Sequence, residues 1–223
     1  MPEKNSPPSF AQALLRIHRV ISRGLIVAVQ SGGDFIQAGF PEPGLRIGFV
    51  LYLQALVAVL GAHHLGEEQI AFPALRDKLT DAPYDRLARH HQEIVALLDS
   101  LRKLIPSLEA GGDPVELTAL VECLRKISAI WRPHIQAEEW YFSEDALDAA
   151  MSAQDQGRLS AAFGKHSQEH ALPAHLVLPF LLFNLAGDDR SQMAASLPAT
   201  VVEQLVPKAW KEQWAPMQPF LLE

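Results

Sequence analysis

Apolar residues recur at three- and four-residue intervals along much of this chain. Phe10, Leu14, Ile17, Ile21 and Leu25 form one such stripe, which predicts a helix over about residues 9–29. The run Ser31-Gly32-Gly33-Asp34 reads as its end, and a loop holding Pro41, Pro43 and Gly44 follows. Residues 45–79 carry apolar side chains on most faces, the pattern of a helix at the centre of a bundle. Asp81-Ala82-Pro83 signals a stop and a new start, with a third helix over about 83–108. Gly111-Gly112-Asp113-Pro114 combines a stop, a cap and proline at the first helical position. It opens a fourth helix reaching about Phe142, with Pro133 inside it expected to kink or loosen it. Residues 143–223 predict more helix, over about 152–171, 174–186 and 198–213, punctuated by prolines. The expected class is therefore all-α. A four-helix unit over 9–145 carries a helical extension over 146–223, with no low-complexity linker between them.

Composition narrows the function. Hydrophobic residues make up 48% of the 223 positions, enough for a sizeable core. Asp and Glu number 26 against 19 Lys and Arg, which argues against a nucleic-acid surface. One cysteine, Cys123, excludes an internal disulfide and a thiolate metal cluster. The first ten residues are polar and proline-rich, without the apolar core of a secretory signal. The longest apolar run, 47–62, falls short of the ~20 residues of a membrane span. A soluble cytoplasmic protein, with neither membrane nor nucleic acid as partner, is the expectation.

Polar residues inside the apolar stripes carry the chemistry. His63-His64-Leu65-Gly66-Glu67-Glu68 and His134-Ile135-Gln136-Ala137-Glu138-Glu139 each set a histidine four residues before a pair of glutamates. That spacing puts imidazole and carboxylate on one helix face. One more histidine precedes each copy, His18 by 45 residues and His91 by 43, and the offset between the halves is 73 and 71. A near-constant offset describes a duplicated helical hairpin. Helical geometry alone does not choose between His63/Glu67 and His64/Glu68. The duplication chooses His63, since His134 precedes the first Glu of its pair by four. His64 and Glu68 become candidates for orienting a ligand from behind. His91 is preferred to His90, because His18 and His91 are each followed three residues on by Ile. The candidate set is His18, His63, Glu67, His91, His134 and Glu138. Four imidazoles and two carboxylates suit two ions bridged by the carboxylates, and ligation without sulfur fits iron, manganese or zinc. Glu-x-x-His and His-Glu-x-x-His motifs are absent.

The order His, His-x-x-x-Glu, His, His-x-x-x-Glu resembles the hemerythrin-like, HHE cation-binding family. Glu67-Glu68-Gln69-Ile70-Ala71-Phe72-Pro73-Ala74-Leu75 is similar to the family's Glu-Glu-x-x-apolar-Phe-Pro-x-Leu signature, and Glu138-Glu139-Trp140-Tyr141-Phe142 to its weaker second copy. The resemblance covers about residues 9–145. It implies an up-down-up-down four-helix bundle around two iron ions, an Fe–O–Fe centre, with manganese or zinc as other occupants. His18, His63, His91 and His134 would be terminal ligands, and Glu67 and Glu138 the bridges. Oxygen-carrying members place a further histidine one turn after the third-helix ligand, and here that position is Val95. They also end in His-x-x-x-x-Asp rather than His-x-x-x-Glu. The departures imply an extra open coordination position and chemistry or sensing over oxygen storage, unless His64, His90 or a C-terminal histidine fills it. His166 and His170 lie one turn apart near His175, and packing is the favoured reading of them.

Three functions follow. The first is a di-iron protein that senses or handles O2, NO or peroxide, in a stress response. The second is an enzyme of the same centre, acting on peroxide or in nitrosative iron repair, with Tyr141 and Glu68 as candidate proton carriers. The third is a metal-free interaction module. A homodimer is compatible with each.

Overall fold

The computed structural model describes residues 9–39, 42–111 and 113–222. The polar stretch 1–8, Pro41 of the first loop and Gly112 of the Gly-Gly turn lie outside them. Four long helices form the frame: α1 (Phe10–Ala38), α2 (Pro43–Gly66), α4 (Tyr84–Glu109) and α5 (Pro114–Tyr141). Each packs on its neighbour in sequence, and α1 packs on α5 to close the ring. Short connections make the order up-down-up-down, as the resemblance implied.

Local sequence sets the ends. The Ser9 hydroxyl accepts from the Gln12 N–H at the start of α1. Asp113 and Glu116 form a reciprocal capping box at the start of α5. α5 runs through Pro133 without ending. Gly32 and Gly33 do not end α1, contrary to the expected break after Val29. A Cβ on Gly32 would stand 2.5 Å from Val121 Cγ2, so this glycine serves close approach between α1 and α5. A broken helix and a tight helix contact use the same residue type.

Helix α2 does not run unchanged to Leu79, as its apolar pattern suggested. It passes into a π turn at Glu67–Ala71, then α3 (Phe72–Leu75), and stops there. The cause is Pro73. Proline cannot donate to the Gln69 carbonyl and its ring presses on it, so the ladder opens by one residue. The Phe72 N–H reaches the Glu67 carbonyl instead. The continuous rod Pro43–Leu75 is thereby longer than the apolar run 47–62 implied, and passes the length and hydropathy test for a membrane span. Most of it is buried: the window is 61% enclosed by the other helices.

The extension supplies α6 (Glu144–Ala150), α7 (Ala153–His170), α8 (Ala174–Phe183), α9 (Gly187–Ala195), a π segment (Val201–Ala209), α10 (Lys211–Trp214) and a 3-10 segment (Ala215–Phe220). The short, polar α6 and α9 were not anticipated. α7, α8 and the 3-10 segment all lie against α2. Phe220 sets its ring on Phe49 and Tyr52, at 5.5 and 5.7 Å. The Tyr52 hydroxyl donates to Asn184 Oδ1 at 2.8 Å, and Arg23 Nη1 donates to the Phe220 carbonyl at 3.0 Å.

Two apolar clusters make the core. The larger includes Ile21, Leu60, Ile94 and Trp131. The smaller includes Leu14, Ala71, Phe72, Leu87, Ala137 and Phe142. α1, α4 and α5 contribute to both, α2 to the larger and its continuation through the π turn and α3 to the smaller, and between the two clusters each long helix turns a histidine inward.

Candidate metal centre

The structure brings all six predicted residues together in that layer between the clusters. His18 comes from α1 and His91 from α4. His63 and Glu67 come from the end of α2 and its π turn, and His134 and Glu138 from α5. All six are buried. Placing them there costs solvation that only partners can return.

The two carboxylates are arranged alike. Glu67 turns Oε1 to His63 Nε2 and Oε2 to His91 Nε2, each at 3.3 Å. Glu138 turns Oε1 to His134 Nε2 and Oε2 to His18 Nε2, again at 3.3 Å. Each carboxylate thus spans two imidazoles, one on either side.

His64 joins them. Two groups of donors emerge, His18, His63, Glu67 and Glu138 on one side, and His64, Glu67, His91 and His134 on the other. His64 stacks on His91 with centroids 4.2 Å apart and meets His134 edge-on at 5.3 Å. The duplication had assigned His64 to a supporting place, and its ring nitrogens sit among the donors instead. His64 thus places an imidazole among the donors, where Val95, 42% exposed, offers none. His90 stays outside both groups, its ring 5.7 Å from that of His134.

The second glutamate of each pair fixes one histidine of the cluster. Glu68 accepts from His91 Nδ1 at 2.8 Å, and Glu139 accepts from His18 Nδ1 at 3.0 Å. With Nδ1–H committed, each ring offers its Nε2 lone pair inward. Glu68 was expected to do this; Glu139 was not, although its place in the duplicate predicted it. Trp131 is the other residue that the sequence reading passed over. Its ring lies 5.4 Å from His18, 5.8 Å from His63 and His134, and 5.9 Å from His64. Its indole N–H donates to the Ser22 hydroxyl at 2.9 Å, so the face toward the histidines is a dry aromatic floor.

Fit to metal can be tested on the unsatisfied atoms. Both oxygens of Glu67 and of Glu138, both ring nitrogens of His63 and His64, and Nε2 of His18 are buried without a hydrogen-bond partner among the described residues. Buried polar atoms are seldom left so. His91 Nε2 and His134 Nε2 face each other at 3.2 Å. Ligands about 2.1 Å from one ion stand about 3.0–3.4 Å from each other, which matches this spacing. The two donor groups, which share Glu67, could each hold a cation, and Glu138 turns one oxygen to an imidazole of each group.

Charge in the metal-free cluster is divided unevenly. Burial drives His63 and His64 well below the usual histidine value, helped by neighbouring imidazoles. Burial takes His134 down to about 3 despite the pull of Glu138. Burial also opposes charge on His18, but its close contacts with the Glu138 and Glu139 carboxylates outweigh this and lift it to about 9. His91 is raised against burial by Glu67, with Glu138 and Glu68 adding to it. Burial, then the charge of Glu67, raises Glu138.

The extension closes one end of the site. A Cβ on Gly66 would stand 3.0 Å from the Phe163 ring of α7, and that ring meets His63 at 6.1 Å. His166 Nε2 donates to Gln69 Oε1, in the π turn, at 3.0 Å. His170 stacks on His166 at 4.1 Å, and its Nδ1 donates to the His166 carbonyl. These two histidines pack α7 onto the π turn, and His175 does not join them. Tyr141 is half-buried against the smaller apolar cluster.

Comparison with curated proteins and with solved structures gave no match. The family model described as the hemerythrin HHE cation binding domain matches residues 12–144, more than half of the chain and all but the first two residues of the four-helix frame that holds the donors. The chain belongs to the hemerythrin HHE cation-binding family.

Proposed function

We propose that the protein holds a non-haem di-iron centre and uses it to sense or handle O2, NO or peroxide. The observation that carries this reading is the pair of carboxylates, each turned to imidazoles on both sides. His18 and His63 would hold one ion; His64, His91 and His134 the other; Glu67 and Glu138 both. Two iron ions so held supply Lewis-acid positions and two one-electron equivalents to a small oxidant.

The chain's own residues set the conditions. Glu68 and Glu139 keep two ligating rings in register. Trp131 and Phe163 set aromatic surface against His63. The three-to-two division of imidazoles makes the two sides unequal, and an ion at His18 and His63 would have fewer protein donors.

Sensing is favoured over turnover by the contact of α7 with the π turn. Glu67 lies at the start of that turn and Gln69, two residues on, is tied to His166. A shift at Glu67 has a direct mechanical route into the extension. A peroxide-consuming enzyme is the second reading, favoured by half-exposed Glu68, which can exchange protons with solvent while bonded to His91.

Anaerobic iron-loaded protein exposed in turn to O2, NO and peroxide tests this. The expected result is a change in the visible spectrum with at least one, accompanied by altered hydrogen exchange over residues 153–170. A spectrum indifferent to all three sinks the reading. Multiple turnovers of peroxide without change in α7 favour the enzyme.

A further inference from the structure

A narrow slot runs along the bundle between α2 and α4 and ends at the candidate metal centre. Gln54, Ala58, Gly61 and Leu65 of α2, with Glu68 of the π turn, form one wall. His91, Val95, Leu98, Arg102 and Ile105 form its α4 wall. Each stripe steps by four and three residues, so each is one straight helix face. The helices are antiparallel, with Glu68 bonded to His91 at one end and Gly61 facing Leu98 and Arg102 farther along. Leu172 and Pro173, from the α7–α8 turn, complete the wall.

Small residues open the slot. Ala58 and Gly61 occupy places where bulkier side chains would bring the helices into full contact. Each stripe covers 15 residues, a rise of about 21 Å of helix. The cavity holds about 750 Å³. Spread over that length its section is about 35 Å², wide enough for one hydrocarbon chain.

Charge selects among such chains. Arg102, on the wall, already pairs with Asp99 at 2.7 Å. Glu68, at the metal end, is an acid and repels a carboxylate head. Apart from Gln54 and Arg102, the polar groups gather at that end, where His64, His91, Gln92 and His170 line the slot beside Glu68. The remaining length is mainly aliphatic.

We infer that this slot binds a single-chain apolar molecule with a neutral oxygen head group, such as a fatty alcohol or alkyl hydroperoxide, its head toward His64 and His91. The head's position beside the ions rests on the di-metal reading; the binding of the chain does not.

Calorimetric titration of the full-length protein with octan-1-ol tests the binding. Octan-1-ol is expected to bind at one site per chain, and octanoate at neutral pH roughly tenfold more weakly. Val95→Trp, at the exposed rim, and Gly61→Leu, whose Cβ would meet the tip of Arg102 at 3.1 Å and Leu98 at 3.8 Å, are each expected to weaken octan-1-ol roughly tenfold or more. Val115→Trp, on an exposed surface away from the slot, is expected to leave it unchanged. Absence of binding, equal or tighter binding of octanoate, or full binding by both slot variants overturns the inference. In iron-loaded protein, the methylene beside the hydroxyl is expected to relax faster than the terminal methyl. The reverse order overturns the head-inward placement. Metal content measured on the same samples keeps the two questions apart. Slot binding with no metal refutes the di-metal centre alone, and metal without slot binding refutes this inference alone.

Discussion

Adding one methyl group at Gly48 is expected to detach the end of the chain. A Cβ there would stand 2.0 Å from the Pro216 carbonyl oxygen and 2.8 Å from its carbon, both backbone atoms. Neither can move as a side-chain tip would. The 3-10 segment Ala215–Phe220 must lift away, taking Met217 and Phe220 out of the core and uncovering Phe49 and Tyr52. Loss of two large apolar side chains from the core sets the scale at about 3–5 kcal/mol. Gly48→Ala is therefore expected to lower the denaturation midpoint sharply and to expose the C-terminal segment to protease. Gly44→Ala, which meets nothing within 4 Å, is expected to leave both unchanged. Metal content is expected to survive, since His63 lies about 22 Å farther along the helix. A Gly48→Ala protein as stable as the parent would refute the packing of the tail described above.

Stability of the metal-free protein is expected to peak near pH 6.5 and to fall on both sides. On the acid side, His63, His64 and His134 stay neutral in the folded state while the unfolded chain takes up protons from about pH 6.5 downward. Their contribution is present above pH 6.5 and is lost below it. Glu138, raised in the folded state, offsets part of this just above its ordinary range. A net difference of two to three protons gives a slope of about 3–4 kcal/mol per pH unit. On the alkaline side the sign reverses. His18, lifted to about 9, and His91, also raised, keep protons that the unfolded chain has released. Their stabilisation is complete below pH 6.5 and is lost as pH rises toward 9. Bound metal holds all five imidazoles neutral, so the alkaline fall is expected to vanish on loading while the acid fall persists. Thermal melts from pH 5 to pH 9 with and without metal check this. A metal-free protein most stable at pH 8 or above would contradict the charge distribution.

Much of the centre was legible because ligand spacing is a local property. His63 and Glu67, and His134 and Glu138, are each one turn apart, and any helix over those residues aligns them. The duplication carried the reading from one helix to four. It failed at His64, which has no counterpart in the second copy. Helix α2 is buried on nearly every side, so its hydrophobic pattern cannot say which of two adjacent histidines faces inward. The answer lies in the neighbouring helices and in the π turn, which re-aims Glu67. Pro73 was the one local sign of that turn. Gly32 misled for a related reason, since only the partner helix distinguishes a stop from a close contact. The arrangement of the extension was the least legible part. Gly66 against Phe163, Gly48 against Pro216 and Gln69 against His166 are contacts between distant positions, which no periodicity records.

The central claim is that one chain holds two cations bridged by Glu67 and Glu138. Elemental analysis of anaerobically purified protein tests it most directly, with Glu67→Ala beside the parent. The account predicts two metal ions per chain, iron foremost, and a Glu67→Ala protein that stays folded but loses both, because one carboxylate serves both sides. One metal or fewer per chain in the parent, or full occupancy in Glu67→Ala, would contradict it.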